Sequence, residues 1–297
     1  MARMRVCSAL LVLALILLVI EPPRASGACR LGSLQTLPVT MRDGRPLVSV
    51  QVNRSDALFI PDAGAFYSLL TPRSADNFGL TTHASAYDPH LPGPGRPATT
   101  TVRTLTLSGL SLADVEFLVA GRDLAGGASG ALGRNAFGGA EVEYDLGNGV
   151  IRLLRPHDCG SSVLAYWLKA GQFYSILDFT AATPDLPHIT GSAAVNGLPV
   201  RFMLDPGAPA SMLSTHAAQA AGASPDGSGA AVLGSFKIGD EEVKNARVRV
   251  GALAVASVDL LLGADFIGSH RLYVSDSQVK LYFTHNGGRV FDPGAAR

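Results

Sequence analysis

The chain has 297 residues, of which 47% are hydrophobic and 16% charged. That balance excludes a disordered chain, which needs low hydrophobicity and high net charge. The 24 basic and 24 acidic side chains cancel, so no basic surplus exists to neutralise phosphates, and nucleic acid is excluded as the main partner.

Residues 1–28 read as an export signal. Arg3 and Arg5 form a basic start, and Ala9 to Ile20 is an unbroken apolar run of twelve. A membrane span needs about 20 such residues. Pro22 and Pro23 then break the pattern, and the small residues Ala25, Ser26, Gly27 and Ala28 place cleavage after Ala28 or Gly27. A retained N-terminal anchor is the alternative. The first reading sends the protein to a periplasm or out of the cell, with no membrane span left after signal removal. Cys7 leaves with the signal, which leaves Cys29 and Cys159. In an oxidising compartment an even pair points to a disulfide. Lipidation of Cys29 competes with it, although Ser26 stands where a lipobox calls for Leu.

The rest of the chain repeats itself at a separation of 130 to 143 residues. Residues 47–70 and 189–214 share one plan: an alternating strand, a turn at Asn53 or Asn196, and an apolar returning strand. Each returning strand ends in Asp-x-Gly, at Asp62-Ala63-Gly64 and Asp205-Pro206-Gly207. A Ser follows six residues after each Asp, at Ser68 and Ser211, and a short helical stretch comes next. Gly-rich segments follow, Gly93-Pro94-Gly95 and Gly227-Ser228-Gly229. Then come further strands, an apolar-apolar-Gly element (Ala131-Leu132-Gly133 and Leu261-Leu262-Gly263), and a closing hairpin in each half. Helical periodicity is scarce, so the pattern predicts an all-β fold of two similar lobes with a cleft between them. The lobes fall at 29–159 and 189–297, with 160–188 a linker that carries strands.

A single Asp-x-Gly is turn chemistry, with Asp capping the turn and Gly supplying backbone freedom. Here the motif occurs once per repeat, ends a buried-type strand each time, and is followed by the apolar-apolar-Gly element. A surface turn needs neither.

This constellation resembles the aspartic peptidases, the retropepsin-like group in particular. Phe59 to Ala65, Met203 to Ala208 and Leu132-Gly133-Arg134-Asn135 carry the resemblance; Gly263-Ala264-Asp265 is a less faithful copy. The resemblance implies two retropepsin- or pepsin-like β-barrel lobes whose Asp62 and Asp205 meet in the cleft. Together they would activate a water against an extended peptide or an unfolded protein, with no metal or cofactor. Gly64 and Gly207 would let backbone N–H groups reach the carboxylates, with Ser68 and Ser211 supporting the loops. Gly93, Gly95, Gly227 and Gly229 would mark flaps. Two lobes in one chain remove the need for a dimer.

The sequence departs from that family at the middle residue, normally a Thr or Ser whose hydroxyl ties the two active loops together. Ala63 has no hydroxyl, and Pro206 has neither a hydroxyl nor an N–H. These two positions favour an alternative function, a pseudo-peptidase that binds peptide or protein in the cleft without cutting it. Arg134 lacks an acid at the usual neighbouring position, which is Phe66, and is expected to be solvated or bound to carbonyls. The seven His residues show no metal-ligand spacing, and no Cys-x2-Cys pair exists.

Overall fold

A computed structural model describes residues 28–85, 97–121 and 123–294. The expected export signal, apart from Ala28, lies outside the described residues. Among those described, no helix is long and apolar enough to cross a membrane.

The first half forms β1 (Arg30–Arg42), β2 (Arg45–Val52), β3 (Ser55–Pro61), β4 (Ser68–Leu70), helix α1 (Pro72–Asn77), β5 (His83–Ala84), β6 (Ala98–Leu107), β7 (Leu110–Val119), β8 (Gly130–Leu132), β9 (Glu141–Asp145) and β10 (Val150–His157). After β11 (Ser175–Asp178), the second half repeats the plan. It runs through β12 (Thr190–Val195), β13 (Leu198–Leu204), β14 (Met212–Ser214), α2 (Thr215–Ala220), β15 (Ala230–Ile238), β16 (Glu241–Gly251), β17 (Leu260–Leu262), α3 (Ala264–Gly268), β18 (His270–Ser275) and β19 (Lys280–His285).

Each half closes a six-stranded barrel. The first runs β2-β3-β8-β4-β7-β6 and is shut by a β2–β6 pairing; the second runs β12-β13-β17-β14-β16-β15. The same local chemistry shapes both. In β2, Val48, Val50 and Val52 are buried while Ser49 and Gln51 face out, the two-residue period of a half-buried strand. Asn53 and Asn196 turn the hairpins at φ 49°, a left-handed conformation that Asn tolerates. Their side chains accept the N–H of Thr104 and Ser235, which fixes each hairpin to the neighbouring strand. Thr71 and Ser214 cap α1 and α2 by accepting the N–H three residues on. The barrels fill with Phe59, Leu105, Leu107 and Phe117 on one side and Phe202, Leu233, Phe236 and Leu260 on the other.

A third sheet joins the barrels, in the order β11-β19-β18-β9-β10-β1. Its middle is the β9–β18 ladder, where Glu143 lies opposite Tyr273. Tyr144 faces Leu272 and Val274 faces Val142, so an approximate two-fold axis passes through this point. Buried Glu143 bonds Arg271 of β18 at 2.9 Å and also meets Arg152 and Tyr166. A buried charge is tolerated here because it is paired and hydrogen-bonded. The linker contributes to the same sheet: β11 pairs with β19, and Trp167 donates to Thr284 at 3.0 Å. Cys29 is bonded to Cys159, closing the sheet's β1–β10 edge and tying up the thiol that lipidation needs.

Candidate active site

Strands β3 and β13 each end where an Asp leaves the barrel. The apolar strands place these residues because β8 and β17 run parallel to them and accept the Asp N–H. Asp62 donates to the Leu132 carbonyl at 2.8 Å and Asp205 to the Leu262 carbonyl at 2.9 Å. Backbone N–H groups then turn back toward each carboxylate. Gly64 N–H lies 3.0 Å from Asp62 Oδ1; Gly207 and Ala208 N–H lie 2.9 and 3.1 Å from Asp205 Oδ1.

The support below each loop is also duplicated. Ser68 is fully buried, donates to Asn135 Oδ1 at 2.7 Å and accepts the Gly133 N–H at 2.9 Å. Ser211 does the same with Asp265 Oδ1 and Gly263 N–H, at 2.7 and 2.9 Å. The apolar-apolar-Gly element is explained by this contact. A Cβ on Gly133 would lie 2.4 Å from the Tyr67 backbone, and one on Gly263 would lie 2.7 Å from the Ala210 backbone.

The two loops meet at the junction of the barrels. A Cβ on Gly64 would lie 2.1 Å from the Leu204 carbonyl oxygen. The Gly64 carbonyl accepts the Ile189 N–H at 2.7 Å, and Phe66 N–H donates to Pro187 at 2.9 Å. Across the pseudo-two-fold, Pro46 occupies the place of Ile189 and has no N–H to give. The Arg45 side chain supplies the donor instead, with Nε 2.9 Å from the Gly207 carbonyl.

Electrostatics make the pair unequal. Both Asp side chains sit among packed protein atoms while keeping partial access to solvent. Burial, and then the charge of Asp205, push the Asp62 carboxyl well above the usual carboxylate range. Asp205 is raised too, by burial, but the Ala208 N–H, His188, the Gly207 N–H and Arg45 all oppose the rise. Two such neighbours resist being ionised together, and the groups that favour the charged form are more numerous at Asp205. His188 is itself pushed down by burial, against the pull of Asp205.

Ala63 and Pro206 are both buried beside the acids. Ala63 N–H donates to the Tyr144 hydroxyl at 2.8 Å. Gly93 and Gly95 lie outside the described residues. Gly227 and Gly229 do not extend into a hairpin. They sit in a short turn between α2 and β15, where Asp226 accepts the Ser228 N–H at 2.8 Å and pairs with Arg247. A second flap finds no strands here because the nine residues 221–229 pass directly from helix to strand. Arg134 is neither solvated nor carbonyl-bound at its side chain: it pairs with Asp276 of the β18–β19 turn at 2.7 Å. Sequence reasoning missed Arg45, His188, Tyr144 and Asp276. Arg45 and His188 occupy equivalent places in the repeat, 143 residues apart like the two acids, and that spacing was the available signal.

The family profile described as aspartyl protease matches residues 48–136 and 191–266. No curated protein matches the chain. Among solved structures, an aspartic proteinase from Irpex lacteus is similar with a TM-score of 0.52 and 13% identity, over 86% of this chain and 97% of that one. A retropepsin-like aspartic protease from Rickettsia conorii is 19% identical over 43% of this chain and 95% of that one, with a TM-score of 0.34. The first of these likenesses concerns the fold. The profile spans both barrels and both Asp-x-Gly loops, and the chain belongs to the aspartyl protease family.

Proposed function

We propose that the protein is an exported aspartic endopeptidase in which Asp62 and Asp205 activate a water molecule. The observation that carries this reading is the pair of facing loops. Each presents an Asp that is held by its own backbone N–H groups and is too desolvated to ionise freely beside the other. One proton shared by two carboxylates gives both partners of the reaction from one residue type. Asp205, with Arg45 and His188 near it, is the ionised base that draws a proton from water. Asp62 keeps its proton and donates a hydrogen bond to the scissile carbonyl. The water attacks that carbonyl directly, so no acyl-enzyme forms. The Cys29–Cys159 bond supports export, since such bonds persist in oxidising compartments.

The test is cleavage of an unfolded protein such as casein by the purified protein across acid to neutral pH. Cleavage is expected to be fastest under acid conditions and to fall at least a thousandfold in Asp62→Asn and in Asp205→Asn, on the order of 4 kcal/mol. Parental activity in either variant removes the pair as catalyst. Peptide binding without cleavage in the parent, seen by fluorescence anisotropy, selects the pseudo-peptidase.

A further inference from the structure

Replacing both loop hydroxyls ought to leave a buried donor without a partner, yet the Ala63 N–H has one. The first loop has one N–H to satisfy, at Ala63, and the Tyr144 hydroxyl accepts it at 2.8 Å. The same hydroxyl donates to the Pro61 carbonyl, also at 2.8 Å. It therefore bonds the chain on both sides of Asp62. Tyr144 is fully buried, so the ring has no freedom to leave. Burial and the charges of Asp62 and Asp205 keep its proton on, so it remains a donor.

The second loop needs no such group. Pro206 has no N–H, and the place equivalent to Tyr144 across the two-fold axis is Val274, whose side chain has no polar atom. The substitutions match as a set. Ala63 cannot accept, and Pro206 offers nothing to accept. Pro206 cannot accept either, and Tyr144 takes its place.

We propose that Tyr144 is a positioning residue for the catalytic pair, its single hydroxyl giving the first loop the two hydrogen bonds that a hydroxyl at position 206 would otherwise supply. The proposal rests on the two-carboxylate reading above. Tyr144 does not touch substrate. It holds residues 61–63 so that Asp62 keeps its separation from Asp205, and a displacement of about 1 Å there is enough to cost a hundredfold in rate. Because β9 also pairs with β18, the Tyr144 hydroxyl is carried by a ladder that crosses between the halves.

The experiment compares the parent with Tyr144→Phe, Pro206→Thr and the double variant, using casein and a quenched peptide, with Asp62→Asn and Asp205→Asn as controls. Tyr144→Phe is expected to lower kcat at least thirtyfold, with KM within twofold, and to alter the spacing of the two limbs of the pH–kcat profile. Because the loops face each other, Thr at 206 offers a hydroxyl toward Ala63, so the double variant should recover at least tenfold of the loss. Pro206→Thr alone, with two hydroxyls competing for one N–H, should fall below the parent. Parental kcat and pH limbs in Tyr144→Phe overturn the proposal. So does a fall in kcat that follows lost thermal stability, leaves the pH limbs in place and is not recovered in the double variant. If Tyr144→Phe does not fold, the double variant alone decides: a folded, active protein supports the proposal, and an unfolded or inactive one overturns it. Activity in the Asn controls removes the carboxylate reading itself, a result separate from any of these.

Discussion

Arg45 reaches from the first half of the chain to the second, and its Nε donates to the Gly207 carbonyl two residues past Asp205. The contact has two consequences at once. It holds the second loop where Pro46 cannot, and it sets a positive charge near the acid assigned as base. Replacing Arg45 by Met removes both. Asp205 should then be harder to ionise, so the acid limb of the kcat/KM profile should move to higher pH. Lys at 45 keeps the charge and loses the planar donor, so the limb should stay while activity falls by about fivefold, the effect of one lost hydrogen bond of about 1 kcal/mol. A pH–rate series on the two variants checks both outcomes.

The two motif glycines are predicted to differ sharply. A methyl group at Gly64 meets the Leu204 carbonyl oxygen at 2.1 Å, and backbone must move to admit it. Each methyl would also lie 3.1 Å from Oδ1 of its own Asp, so the contrast lies across the interface, where the contact at Gly207 is Ile60 Cγ2 at 3.6 Å, an ordinary distance. Gly64→Ala should lower kcat by about a hundredfold or more, through a shift in the distance between the acids. Gly207→Ala should keep activity within about tenfold of the parent. Steady-state kinetics on the pair of variants reads the contrast.

Ser68→Ala and Ser211→Ala each leave a buried N–H, that of Gly133 or Gly263, without its partner, at a cost of about 1–3 kcal/mol, while the Asn135 or Asp265 oxygen keeps the backbone N–H of residue 68 or 211. They are not equivalent. Asn135 waits below Ser68, whereas Ser211 faces Asp265, a carboxyl that burial raises and that the Ser211 hydroxyl pulls back. Ser211→Ala should therefore be the less stable variant at neutral pH, and the difference should shrink in acid as Asp265 takes up a proton. Urea denaturation at two pH values measures it.

Two buried carboxyls should contribute stability in acid. Asp276 is pushed up to about 6 by burial, with Arg134 opposing and Glu141 adding to the rise. Its folded pKa exceeds the unfolded value of about 3.9, so the folded state binds the extra proton. That stabilisation is complete below about pH 4 and is lost as pH rises to about 6. Asp62 acts in the same direction. Asp62→Asn should match the parent near pH 3 and exceed its Tm near pH 7, as measured by thermal unfolding across pH.

Much of this architecture was legible because its signals are local and occur twice. The hairpin Asn residues, the Asp-x-Gly strand ends, the serines six places on and the close-contact glycines each impose a constraint on their own stretch of chain, and repetition separates them from chance. The second Gly-rich segment shared its composition with the first but not the length that a hairpin requires. What the sequence concealed was long-range replacement. Arg45 substitutes for an N–H that Pro46 lacks, and Tyr144 for a hydroxyl that Pro206 lacks, each from a distant element. Arg134 finds its acid in Asp276, at the far end of the other half. No spacing rule connects such partners, because only the tertiary fold brings them together.

Both ends of the Cys29–Cys159 bond lie upstream of the exposed connection that carries Val163, Tyr166 and Phe173. A nick within residues 30–158 would leave fragments still joined through sulfur, parting on a denaturing gel only with added thiol. One nick in the connection would instead yield two pieces with no covalent tie. They would travel together under native conditions through the β9–β18 ladder and separate in denaturant without any reductant. Self-digestion of this protein would thus report where it cut by whether thiol is needed to see it.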